Sequence, residues 1–200
     1  MVEFALVFPI LFFIMSISID LFRVVWVNST VAEAARQAAR QAIANEDPND
    51  SPFGATSGSC SGTTLTPSAG GAGCLTDNRI DDTVDWVMGS FSTHSTMVEQ
   101  SPTSCPAPAV GATEVCIWPG ETGAAGAYAS CAAARTALGH DPVPGDLGAR
   151  KPEWQSPQYK GCFQVAVTVV YRYDTLVPFL GASAPSWLKL TAASTMVAEY

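Results

Sequence analysis

The chain has 200 residues, of which 48% are hydrophobic and only 14% charged, with a net charge of −8. So low a charged fraction is unusual for a cytosolic protein. The acidic balance argues against nucleic acid or anionic lipid as a ligand, and the length suits one domain, or one domain with an appendage.

The N-terminal stretch "MVEFALVFPILFFIMSISID" is apolar from Phe4 to Ile19 apart from Pro9, Ser16 and Ser18. With Leu21, Phe22 and Val24–Val27 it reaches the roughly 20 residues that a bilayer span needs, with Asp20 and Arg23 near one edge. A secretory signal peptide fits poorly, because no basic region precedes the run and no A-x-A site follows it. Next comes "VNSTVAEAARQAARQAIANEDPND", where Val31, Ala34 or Ala35, Ala38, Ala42 and Ile43 recur at helical spacing. Glu33, Arg36, Gln37, Arg40 and Gln41 lie opposite them. Alanine is the best helix former, and an alanine stripe lets a neighbouring helix approach closely. Pro48 cannot continue a helix. The segment therefore predicts one helix from Val2 to Ala44, a rod of roughly 64 Å.

Two residues are out of place in a plain anchor. Pro9 removes a backbone hydrogen bond, so a kink is expected there, tolerable where neighbouring helices cover the opened backbone. Glu3 is an isolated carboxylate in an oily run, and such a group is costly in hydrocarbon unless something pairs with it. No Lys or Arg occurs before Arg23. A sequon at Asn28-Ser29-Thr30 falls inside the helix and is read as chance.

Residues 45–200 form a separate head, which carries the whole net charge because the three acids and three arginines of residues 1–44 cancel. Its first part, residues 48–75, is a Gly/Ser/Thr/Pro-rich loop. Ile80, Val84, Val87, Met88 and Phe91 then predict a short amphipathic helix. Asp77, Asp81, Asp82 and Asp85 near its start are solvated acids favoured at a helix N-terminus. They lack an EF-hand pattern. A second helix is predicted over Ala124–Leu138, ended by Gly139. Glu114–Trp118 reads as a strand. In "CFQVAVTVVYRY", Phe163, Val165, Val167, Val169, Tyr171 and Tyr173 alternate with polar positions, and "WLKLTAASTMVAEY" alternates again with Leu188, Leu190, Ala192 and Met196 on one face. The fold class expected is α+β: a long kinked apolar helix, then a small head with an antiparallel sheet of three or more strands.

The six cysteines, Cys60, Cys74, Cys105, Cys116, Cys131 and Cys162, all lie in the head. An even count behind an apolar N-terminal segment reads as disulfides in an oxidising compartment. Many pairings are open; the sequential one, Cys60–Cys74, Cys105–Cys116 and Cys131–Cys162, is expected. It clips the Gly/Ser-rich loop and ties the Phe163 strand to the helix before it. No C-x-x-C pair occurs, and His94 and His140 lie outside any ligand spacing, so no metal or other cofactor is expected. G-x-S-x-G, P-loop and H-E-x-x-H motifs are absent, and no enzyme is expected.

"VEFAL", Pro9, the pair Asp20 and Arg23, and the "AARQAAR" tract resemble the N-terminal signature of TadE-like proteins, in the tight-adherence branch of type IV pilus systems. "VAVTVVYRYDTLVPFLG" followed by "LTAASTMVAEY" is similar to that family's closing strands. The resemblance covers roughly residues 2–44 and 162–200. It implies a subunit held in the inner membrane, cut by a prepilin peptidase, and built into an extracellular filament through its N-terminal helices. Glu3, Phe4, Pro9, Phe12, Phe13, Asp20, Arg23, Ala35, Ala38 and Ala42 are the residues expected at subunit–subunit contacts. Pilin-type proteins carry the key glutamate fifth in the mature chain and here it is third, so residues missing before Met1, or an altered start, are expected. Two rivals stay open: a minor pseudopilin that primes or caps a pilus, and a single-span anchor displaying a binding domain.

Overall fold

The computed structural model describes residues 2–44, 75–92, 95–120, 128, 130–148, 161–173 and 188–197. Their element order is α1 (Val2–Ala44), α2 (Leu75–Met88), β1 (Ser95–Val98), a 3-10 turn (Pro102–Ser104), β2 (Thr113–Trp118), α3 (Cys131–Leu138), β3 (Gln164–Arg172) and β4 (Lys189–Val197). The expected α+β class holds. α1 has the bounds expected and continues through Pro9.

The four strands form one sheet in chain order, β1-β2-β3-β4. β3 pairs antiparallel with both β2 and β4, as the two alternating stretches suggest. β1 adds a short parallel edge, with Ser95 opposite Thr113 and Val98 opposite Cys116, so the sheet is mixed. Two acids of α2 hold that edge to the helix: Asp85 Oδ1 accepts from the Ser95 backbone N–H at 2.6 Å, and Asp81 accepts from the Ser95 hydroxyl. These two acids are thus structural caps on an otherwise open strand end.

One face of β3, with Val165, Val167, Val169, Tyr171 and neighbouring Tyr173, packs into the main core. α2 supplies Ile80, Val84 and Met88, and the second half of α1 supplies Val27, Val31, Ala34, Ala35, Ala38, Ala39 and Ala42. Complete burial of a valine contributes about 1.5–3 kcal/mol, and β3 alone buries three of this kind on the helix side, Val165, Val167 and Val169. On the opposite face Val170 clusters with Val98, Cys105 and Cys116. β3 is thus an inner strand covered on both faces, and its seven inner residues, Thr168 among them, are all buried.

α3 begins at Ser130, whose hydroxyl accepts from the Ala133 N–H at 3.2 Å, and ends at Gly139, where a left-handed φ of 72° lets the glycine N–H reach Arg135 O. This helix is shorter than the Ala124–Leu138 expected, although residues 121–127 lie outside the described part. Gly145, at φ 99°, lies under the Trp118 indole, and a Cβ there would come within 2.5 Å of Nε1. The same Nε1–H donates to Pro144 O at 3.0 Å, so the indole closes the 143–148 turn against β2.

Two of the three expected disulfides are seen, Cys105–Cys116 and Cys131–Cys162, with Cα atoms 5.8 and 6.0 Å apart. Cys60 and Cys74 lie outside the described residues.

Glu114 on β2 is half-buried. Burial pushes its carboxyl above the ordinary value, and the hydrogen bond from Thr96 Oγ1 at 3.1 Å only partly offsets this. A raised folded-state value means that the ionised form opposes folding, so the strain exists at neutral pH and vanishes below the ordinary carboxylate range. Glu114→Gln is expected to raise the melting temperature at neutral pH. The advantage should disappear on acidification to about pH 4, as read by thermal melts across that range.

Candidate functional site

α1 is one helix with two environments. From Phe4 to Phe22 nearly every large apolar side chain faces outward: Phe4, Phe8, Leu11, Phe12, Phe13 and Phe22 are all exposed, Phe4 at 73%. Phe4, Phe8 and Phe12 form a ladder at i, i+4 spacing, with ring centroids 5.8 and 6.4 Å apart. Ser16 and Ser18 donate back to the carbonyls of Phe12 and Ile14 at 2.9 and 2.8 Å. Their hydroxyls are thereby satisfied within the helix and need no water. Pro9 offers no N–H, so the residue 5 carbonyl is left for a neighbour to cover. The helix is long and apolar enough to cross a membrane. From Val2 to Ile19 it rises about 27 Å, close to the roughly 30 Å of a hydrocarbon core.

The change of environment is abrupt. Asp20 is only 7% exposed, and its Oδ1 accepts a hydrogen bond from the Tyr173 hydroxyl at 3.4 Å. One turn on, the Arg23 guanidinium lies 5.9 Å from the centroid of the same tyrosine ring. Burial pushes the Tyr173 phenol above its ordinary value; the Arg23 charge pulls it down, while Asp20 pushes it up through its charge and its hydrogen bond. Trp26 sets its ring edge-on to Phe91, centroids 5.5 Å apart, and the Phe91 carbonyl accepts from the Tyr171 hydroxyl at 3.0 Å. A carboxylate, a guanidinium, a tyrosine and a tryptophan thus collar the helix where it leaves the head. Such mixed aromatic and cationic groups are favoured at the level of lipid headgroups.

Beyond the collar the helix turns inward. Val27, Val31, Ala34, Ala35, Ala38, Ala39 and Ala42 are buried against the sheet and α2. Ala35, Ala38 and Ala42, expected at subunit–subunit contacts, are packed inside their own chain. They are small so that the helix can lie close on its own sheet, and within one subunit they are not available to a neighbouring helix. Asp20 is likewise engaged with Tyr173 in its own chain, and Arg23 lies over the same ring. Phe4, Pro9, Phe12 and Phe13 do lie on the outward half, and Glu3 stands in the first turn of α1. Among the described residues no group of three or more His, Cys, Asp or Glu side chains is placed to hold a metal ion.

An apolar rod thus emerges through a polar collar from a disulfide-bonded head. Residues 1–40 match the model of the TadE-like protein family. The TadE-like segment includes the outward half of α1, the collar residues Asp20, Arg23 and Trp26, and most of the alanine stripe. Searches of curated proteins and of solved structures find no match. Tyr173, the collar's partner across the chain, carries no local motif; its signal in the sequence is only its place at the end of an alternating strand.

Proposed function

We propose that this chain is a structural, non-enzymatic pilin subunit that polymerises into an extracellular, type IV-like filament. It is held in the inner membrane before assembly and processed by a prepilin peptidase. The observation that carries this reading is the outward apolar half of α1, from Phe4 to Phe22, continuous with the half buried in the head. A bilayer covers such a rod in the precursor, and rods of neighbouring copies cover it in a polymer. Repeating one non-closing rotation between identical subunits gives a helical filament with rods inside and heads outside. The match of residues 1–40 to a pilus-associated family supports the same reading. A head of this size, clipped by disulfides, suits the coat of a major subunit.

Glu3 acts within this reading as a register group. In a dry core its carboxylate needs a cation, and an α-amino group freed by leader cleavage on the same or an adjoining subunit is the one at hand. Misregister by one step leaves a buried charge alone. Glu3→Gln is therefore expected to leave expression and membrane insertion intact while sharply reducing filaments in sheared surface material, counted by electron microscopy. Filaments of the wild type that lack this chain as their main component would overturn the proposal, and a full yield from Glu3→Gln would overturn the role of Glu3 alone.

A further inference from the structure

The most exposed large apolar side chain among the described residues is not on the rod. It is Trp86 of α2, 80% exposed. Ile80, Val84 and Met88 carry α2's core face, and Trp86 stands about 200° around the helix from Val84, so folding gains nothing from its indole. Trp86 lines an open cleft of about 320 Å³ together with Asp82 and Thr83 of α2 and Gln41 from the last turn of α1. Asp82 lies one turn before Trp86 on the same helix, and Gln41 approaches from the other helix. The cleft thus combines a flat aromatic face with a carboxylate and a carboxamide at its edge.

We infer that this cleft is a binding site for a neutral saccharide. A pyranose ring has one apolar C–H face, which an exposed indole can cover, and an edge of hydroxyls. Those hydroxyls can donate to the Asp82 carboxylate and exchange hydrogen bonds with the Gln41 amide. The volume lies at the small end of ligand sites and holds one or two hexose rings. α2 carries four aspartates, at 77, 81, 82 and 85, in a head of net negative charge. That field repels sialylated or uronic sugars and selects uncharged ones.

The test uses the full chain in micelles of a polyoxyethylene detergent, which carries no sugar. Lactose, cellobiose and N,N′-diacetylchitobiose are offered at millimolar concentration, with 3′-sialyllactose as the anionic comparator, and binding is read by saturation-transfer NMR. At least one neutral disaccharide is expected to receive saturation. Trp86→Ala and Asp82→Asn are each expected to weaken its binding about tenfold or more, with circular dichroism unchanged. Val143→Ala, at an exposed apolar residue elsewhere on the head, should bind as the wild type does. The inference is overturned if none of the neutral sugars binds, if only sialyllactose does, or if Trp86→Ala binds as well as the wild type. It is equally overturned if Trp86→Ala changes self-association of the chain and no sugar binding is found.

Discussion

A chain beginning at residue 45 is expected to lose its cooperative fold, whereas one beginning at Ile19 should fold, remain soluble and run as a monomer. The reason lies in the second half of α1. Val27, Val31 and five alanines are buried against β3, β4 and α2. Removing Val27 and Val31 forfeits about 3–6 kcal/mol of burial. It also uncovers Val165, Val167 and Val169 on the sheet and Ile80, Val84 and Met88 on α2, at a comparable further cost. A domain of this size has only about 5–15 kcal/mol to lose. Starting at Ile19 removes the outward apolar run but keeps the Asp20–Tyr173 hydrogen bond, Arg23 and Trp26. Circular dichroism melts and size-exclusion chromatography of the two fragments, made in an oxidising compartment, check this. A cooperative melt from the 45–200 fragment would show that the head does not need the helix. Division at residue 44 follows composition, whereas Val27, Val31 and the alanines before it are buried with the head's core.

The second large effect is on the bridges. Cys131 and Cys162 are 31 residues apart and Cys105 and Cys116 are 11 apart. Loop-closure entropy lost from the unfolded chain gives about 3.7 kcal/mol for the longer span and about 2.8 kcal/mol for the shorter. The double variant Cys131→Ser/Cys162→Ser is therefore expected to melt roughly 7–15 °C below the wild type, and Cys105→Ser/Cys116→Ser to fall somewhat less. The longer bridge also fixes the start of β3 to α3, and Cys131 and Cys162 are both buried in the main core. Serine at those sites adds buried hydroxyls to the loss. Calorimetric melts of the two double variants test both the size and the order; equal melting temperatures for all three proteins would refute the pairing as a source of stability.

Much of this was legible in the residues. The bounds of α1 follow from an apolar run continued by an alanine-rich helical repeat up to a stopping proline, and the strands β3 and β4 from the period-two spacing of their large apolar residues. The partner of the alanine stripe was not legible. Alanine serves a helix packed in a bundle and a helix laid on a sheet equally well, so Ala35, Ala38 and Ala42 could not reveal that they are buried in the core of their own chain, with α2 and the sheet. Asp20 stood out as a charge at the edge of an oily run, but Tyr173 is 153 positions away and only the fold brings them together. β1 was missed because four residues, "STMV", carry too short a pattern, and its parallel pairing to β2 depends on the connection through residues 99–112, with its 3-10 turn, returning the chain to the same end of the sheet.

The continuity of α1 across the collar has a mechanical consequence. No break separates the outward half from the half embedded in the head, so the azimuth of the head about the rod is set by residue count alone. Each residue turns the helix by about 100°. One residue inserted between Ile17 and Ser18 would swing the Trp86 face about a quarter-turn around the rod, whereas four would bring it back to within about 40°. The rod thus behaves as an indexed shaft, and the direction in which each head faces is written in the spacing between Phe4 and Asp20.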